Sequence, residues 1–163
     1  MRVHGMLFAW EAEADPAANG ESHAGRRRAL LEVGLMTGSV RVLVVDDDSE
    51  MRALLVDELR QEGYDVTEAG DGAEAVLACR SQEFEVIVMD KNMPGASGLD
   101  LLPGFRRSCP HSRIIMMTAF GDVPSYVEAA EKGAVDFLFK PFRMDELKAA
   151  IRKALDRDAT SRA

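Results

Sequence analysis

Four short segments carry side chains that can do chemistry together. Asp46-Asp47-Asp48-Ser49 supplies adjacent carboxylates, Asp90 a single carboxylate at the end of Val86-Ile87-Val88-Met89, Thr118 a hydroxyl and Lys140 an ammonium. Carboxylates brought within a few ångströms repel one another, and their joint ionisation is costly unless a cation lies among them. An all-oxygen donor set favours Mg²⁺ over a soft metal. Asp47 and Asp90 would then be direct ligands, Asp46 would act directly or through water, and the Asn92 backbone carbonyl would complete the protein's share. A carboxylate is a weak nucleophile toward carbon, yet it takes a phosphoryl group once a metal and a fixed cation neutralise the transferring oxygens. In that chemistry Asp90 is the phosphoacceptor, Lys140 the fixed charge and Thr118 a hydrogen-bond donor to a phosphoryl oxygen.

Taken singly, these residues have plainer readings. A strand ending in Asp is common, a triple Asp is more often the solvated first turn of a helix, and a lone Thr-Ala or Lys-Pro is close to noise. Their order and placement carry the specificity, so the elements that position them matter.

From Arg41 onward, apolar β-rich runs alternate with amphipathic helical patterns. Val42–Val45, Tyr64–Ala69, Val86–Met89, Ile114–Met117 and Phe137–Phe139 read as strands, the second partly alternating and so at an edge. Continuous apolar runs suit strands covered on both faces of a parallel sheet. Helices are expected after Ser49, an N-cap candidate, with Met51, Leu54, Leu55 and Leu59 on one face, and after Gly70-Asp71-Gly72. A third, Leu99 to Arg107, should be shortened or kinked by Pro103-Gly104. The fourth begins near Asp122 with Pro124 in its first turn and stops at Gly133, and the last carries Leu147, Ile151, Ala154 and Leu155 on one face. Five strand–helix pairs with short crossovers imply an α/β, doubly wound, five-stranded parallel sheet with helices on both faces. Ligands in such sheets bind beyond the carboxyl ends of the strands, where all four segments fall.

The bulk numbers exclude several classes. The chain has 163 residues, 47% hydrophobic and 29% charged, with no run near the roughly 20 apolar residues of a membrane span. A net charge of -8 argues against direct nucleic-acid binding, which needs a basic face. Cys79 and Cys109 lack metal-type spacing and are expected to be reduced thiols in a cytoplasmic protein. Residues 1–39 form an extension expected to be disordered or loosely helical, because Glu11 to Gly25 is poor in large apolar residues. Arg26-Arg27-Arg28 reads as a solvated charge cluster before a short helix, and Met36 is a plausible true start. The folded domain is expected over residues 40–157, with 158–163 a tail too short for a helix-turn-helix or an ATPase.

Val44-Val45-Asp46-Asp47-Asp48, Val88-Met89-Asp90-Lys91-Asn92-Met93-Pro94-Gly95 with Gly98 beyond, Met117-Thr118-Ala119 and Phe139-Lys140-Pro141-Phe142 together resemble the receiver domains of bacterial two-component response regulators. The resemblance covers about Val40 to Leu155, and Ala119-Phe120-Gly121-Asp122 with Gly133-Ala134-Val135-Asp136-Phe137 is most similar to the nitrogen-regulation type that heads transcriptional activators. It implies a flavodoxin-like strand order 2-1-3-4-5 and phosphorylation of Asp90 by a histidine kinase or phosphotransfer protein. It also implies Mg²⁺ held by the acidic pair Asp46 and Asp47, phosphoryl contacts from Thr118 and Lys140, and a cis Lys140-Pro141 bond. The family's switch couples Thr118 to an aromatic residue on the fifth strand, here Phe137 in place of the commoner tyrosine, so the inward state must rest on packing alone. Phe120, two residues past Thr118, is expected to hinder the hydrolytic water and give a comparatively long-lived phosphorylated state, while Lys91 is expected to be merely exposed. Output is expected on the face of the fourth helix, fifth strand and fifth helix, presented by Tyr126, Glu128, Lys132, Arg143, Lys148 and Arg152, with a phosphorylation-dependent homodimer as one form of it.

A receiver of this kind is not a turnover enzyme; it assists only its own phosphorylation and dephosphorylation. It would act as a single-domain regulator or phosphorelay intermediate, or as the truncated N-terminal receiver of a transcriptional activator. The rival from another class is a haloacid-dehalogenase-type phosphatase with Asp46 as nucleophile, which leaves Asp90-Lys91-Asn92-Met93-Pro94 unexplained. A degenerate receiver that takes no phosphate is disfavoured by the complete set of Asp46, Asp47, Asp90, Thr118 and Lys140.

Overall fold

The computed structural model describes residues 38–119 and 122–161. Arg26-Arg27-Arg28, Met36, nearly all of the expected extension, and Phe120 with Gly121 lie outside the described residues.

Five strands form one parallel sheet: β1 Arg41–Val45, β2 Asp65–Ala69, β3 Val86–Asp90, β4 Arg113–Ala119 and β5 Asp136–Lys140, in the order β2-β1-β3-β4-β5. The edge position inferred for β2 from its alternation is where it lies. The crossovers are helices α1 Ser49–Gln61, α2 Gly72–Ser81, α3 Gly98–Ser108 and α4 Val123–Glu131, and α5 Met144–Ser161 follows β5. Helix α5 thus reaches into the segment read as a tail.

The strands are apolar throughout because both sheet faces are covered. Val42, Val44, Val86, Val88, Ile115 and Met117 pack with Leu55, Val56 and Leu59 of α1 and Leu147, Ile151 and Ala154 of α5. The intervening residues Leu43, Val45, Ile87, Met89, Ile114 and Met116 pack with Leu99, Leu102 and Phe105 of α3, Ala75 of α2 and Ala129 of α4. Successive side chains point to opposite faces, so a strand buried on both sides must be apolar at every position.

Helix starts follow side-chain capping. Asp48, not Ser49, caps α1: in extended backbone its carboxylate accepts from the N–H groups of Glu50 and Met51. Asp71 caps α2 by accepting from the Glu74 N–H at 2.8 Å, while the Glu74 carboxylate accepts from the Gly70 N–H at 2.7 Å. Asp122 caps α4 with Pro124 in the first turn. Pro103 does not end α3, which continues to Ser108. The proline is exposed, whereas Leu99, Leu102 and Phe105 fill the core, so burial of that stripe outweighs one missing backbone hydrogen bond.

Candidate functional site

Strand register brings the chemistry-bearing residues to one edge. Val45 pairs with Met89, Asp90 with Met117 and Ala119 with Lys140, so the carboxyl ends of β1, β3, β4 and β5 are level. Asp46 leaves β1 directly and Asp90 is the last residue of β3; both continue the face that carries Val44 and Val88. Asp46 is fully buried and Asp90 is 5% exposed, against an exposed Asp47. One oxygen of each of Asp46, Asp47 and Asp90 lies within 4.8 Å of the others.

The Lys140 ammonium bridges the two buried carboxylates, at 3.3 Å from Asp46 Oδ2 and 3.2 Å from Asp90 Oδ1. Burial pushes the Asp90 carboxyl above its ordinary value and the charge of Asp46 adds to this, while Lys140 and the Asn92 N–H oppose it. Burial works to lower Lys140, yet Asp90 and Asp46 outweigh it and hold the ammonium above its ordinary range. The Lys140-Pro141 bond is cis, as the resemblance implies.

Backbone contacts fix these groups. The Asp48 N–H donates to Asp46 Oδ1 at 2.9 Å, and Arg52 Nη1 donates to the Asp46 carbonyl at 2.7 Å while its Nε reaches Glu68 at 3.1 Å. After Asp90 the chain is gripped on both sides: the Lys91 N–H donates to the Met117 carbonyl and the Gly98 N–H to the Lys91 carbonyl, both at 2.8 Å. A Cβ on Gly98 would stand 2.5 Å from the Asp90 carbonyl oxygen, so only glycine permits this approach.

The donor set fits a hard divalent cation. Three carboxylates converge where one ammonium bridges two of them, which leaves a surplus of negative charge in a pocket of oxygen donors.

Thr118 is buried beside this cluster, and its hydroxyl donates to Asp122 Oδ2 at 3.4 Å. Phe137 lies on the same sheet face as Thr118, half-buried, with its ring centroid 4.5 Å from that of Tyr126 on α4. Two expectations are corrected. Lys91 is not a bystander: its ammonium pairs with Asp122 Oδ2 across the site, and its side chain is 20% exposed. Lys148 is not presented for output, because Glu58 of α1 and Glu62, the residue that caps its end, hold it at 3.0 and 3.1 Å. Tyr126 and Arg152 are exposed, and Glu128 and Lys132 pair with each other along α4. Cys79 and Cys109 are both free and buried.

Arg52, Lys91 and Asp122 are the site residues that sequence reasoning missed. Arg52 and Lys91 act across 6 and 31 positions, through a backbone carbonyl and an ion pair that no periodicity encodes.

A doubly wound sheet with this acidic edge, a bridging lysine and a cis proline defines the class of receiver-like α/β domains. Residues 42–152 match the response regulator receiver domain, and the chain belongs to that family. It is 39% identical to the transcriptional regulatory protein TcrA of Mycobacterium tuberculosis over 113 residues, 69% of this chain and 45% of that protein. Among solved structures it is similar to the chemotaxis protein CheY4 of Vibrio cholerae, with a TM-score of 0.68 and 30% identity over 71% of this chain and 98% of that one. It is also similar to a response regulator receiver domain protein of Methanospirillum hungatei, with a TM-score of 0.72 and 26% identity over 76% and 98% of the two chains. The chain spans about half the length of the curated relatives it matches. Among the described residues no helix is long and apolar enough to cross a membrane.

Proposed function

We propose that this chain accepts a phosphoryl group on Asp90 from a histidine kinase or phosphotransfer protein and signals through altered protein–protein binding. The observation that carries this reading is the bridging of Asp90 and Asp46 by Lys140 at the edge of the acidic cluster. In the transfer the donor's P–N bond breaks and a P–O bond forms to an Asp90 carboxylate oxygen, which enters unprotonated. Lys140 keeps that carboxylate charged against burial and stays beside the oxygens that receive the phosphoryl charge. Asp46, Asp47, Asp90 and the Asn92 carbonyl would hold Mg²⁺, which when bound neutralises charge on the transferring oxygens. The Thr118 hydroxyl, buried on the adjacent strand, turns to a phosphoryl oxygen. Phe137, in ring contact with Tyr126 at 4.5 Å, then turns inward, and the α4–β5–α5 face changes the surface offered to a partner, a second copy of this chain included. The donor and the partner are proteins that meet this domain in the cytoplasm.

The metal part is open to a direct check. Mg²⁺ at about a hundred times its dissociation constant is expected to stabilise the folded chain by about 2.7 kcal/mol in a thermal or urea titration. Asp47→Asn, which removes one exposed carboxylate, should keep the fold and lose most of that gain. The transfer is tested by incubating the chain with acetyl phosphate. Intact-mass spectrometry should show one added phosphoryl group in Mg²⁺ and none in excess chelator; equal uptake in both would remove the metal from the reading.

A further inference from the structure

Two residues outside the proposed chemistry tie it to the rest of the fold. Lys91 follows Asp90 directly, and its ammonium pairs with Asp122 Oδ2. The same oxygen accepts from Thr118 Oγ1 at 3.4 Å, and Asp122 Oδ1 accepts from the Ser125 N–H at 3.4 Å as the cap of α4. One carboxylate therefore joins the residue after Asp90, the buried hydroxyl and the helix that carries Tyr126. The pair is sheltered, with side chains 20% and 26% exposed. The hydrogen bond from Lys91, with help from Ser125, holds the Asp122 carboxyl below the usual carboxylate range, so the latch stays charged at neutral pH.

We propose that the Lys91–Asp122 pair is a latch that positions Thr118 and the α4 N-terminus, and that phosphorylation of Asp90 opens it; this rests on the reading of Asp90 as phosphoacceptor. A phosphoryl group brings close to two negative charges and three strong acceptor oxygens to a site next to Lys91. Lys91 and Thr118, both engaged by Asp122, gain a stronger acceptor there. Their departure strips Asp122 of its cation and its hydroxyl partner at once, and the first turn of α4 resettles around its cap. The movement reaches Tyr126, whose ring lies tilted against that of Phe137 at 4.5 Å, and so supplies a polar route to the output face that Phe137, with no hydroxyl, does not. Lys91 and Asp122 are positioning residues in this scheme.

Amide hydrogen exchange at Ser125 and Tyr126 reads the latch, because both N–H groups donate to Asp122, to its carboxylate and its carbonyl respectively. In the unphosphorylated protein, Lys91→Gln and Asp122→Asn should each speed exchange at these amides by about fivefold. Asp122→Asn keeps a competent helix cap, so a change there reports the lost ion pair. The double variant should exchange no faster than either single, and Lys91→Arg should behave as wild type. Unchanged amides in Lys91→Gln, or single effects that multiply in the double variant, would overturn the latch; unfolding midpoints within a few degrees of wild type exclude a folding defect. With acetyl phosphate and Mg²⁺, the wild-type amides should move toward the values of the variants. A wild type that carries phosphoryl on Asp90 with these amides unmoved sinks the coupling alone. A wild type that takes up no phosphoryl group sinks the Asp90 reading and the coupling with it, while the unphosphorylated comparison still reports whether the pair orders α4.

Discussion

Asp90→Asn is expected to take up no phosphoryl group from acetyl phosphate and, in the absence of divalent cations, to be more stable than wild type at pH 7. The two effects share one cause. Asp90 sits in a dehydrated pocket beside Asp46, and burial raises its carboxyl above the unfolded value. A carboxyl raised on folding contributes stability fully below its unfolded pKa, about 3.9, and that contribution is lost as pH rises through the folded value. At pH 7 the ionised Asp90 is therefore a burden on the fold, carried for the nucleophile it provides. Asparagine removes the charge while Lys140 keeps Asp46 as its partner at 3.3 Å. The gain is read as a rise in unfolding midpoint, each kcal/mol being worth about 4 °C for a domain of this size. Calorimetry in chelator checks it, and the difference from wild type should shrink as pH falls toward 4. A destabilised Asp90→Asn would mean that the ionised carboxylate is a net structural asset.

The second large effect is at a residue without a side chain. Gly98→Ala would place a Cβ 2.5 Å from the Asp90 carbonyl, 2.9 Å from Met116 Cε and 3.1 Å from the Lys91 Cα. Met116 can swing aside, but two of the three neighbours are backbone of the very segment that delivers Asp90. Overpacking of this kind typically costs about 1–3 kcal/mol, and backbone neighbours place it at the upper end. Urea denaturation should show that loss, and phosphoryl uptake should slow because Asp90 is displaced relative to Lys140. Gly104, in the same helix with nothing within 4 Å of its Cβ direction, is the control. Gly104→Ala should stabilise α3 by about 0.5–1 kcal/mol and leave uptake unchanged.

The parallel sheet and the convergence of Asp46, Asp47, Asp90 and Lys140 were legible because burial on both faces writes itself as unbroken apolar runs, whereas the strand order came from the resemblance to receiver domains. Runs such as Val42–Val45 and Val86–Met89 carry that signal, and parallel register then levels their ends. Features decided by single polar contacts were less legible. Asp48 and Ser49 are both good caps, and the choice between them goes with the turn that leaves β1, in which Asp46, the first residue past the strand, accepts from the Asp48 N–H. Pro103 read as a point where the helix should shorten or kink because propensity is local, whereas the packing of Phe105 and Leu102 that carries the helix on to Ser108 is not. Lys91 and Lys148 were read as solvent-facing on residue type. Their partners, Asp122 and the Glu58–Glu62 pair, lie on other elements and become visible only once the helices are docked.

The most direct test of the central claim is to locate the label. Wild-type chain would be treated with acetyl phosphate and Mg²⁺, reduced with borohydride to trap the acyl phosphate, digested and sequenced by mass spectrometry. Modification of Asp90, with Asp46 and Asp47 unmodified, is the result predicted for a buried nucleophile beside Lys140. Modification of Asp46 instead would contradict it, and would make this acidic edge the site of a different phosphoryl chemistry.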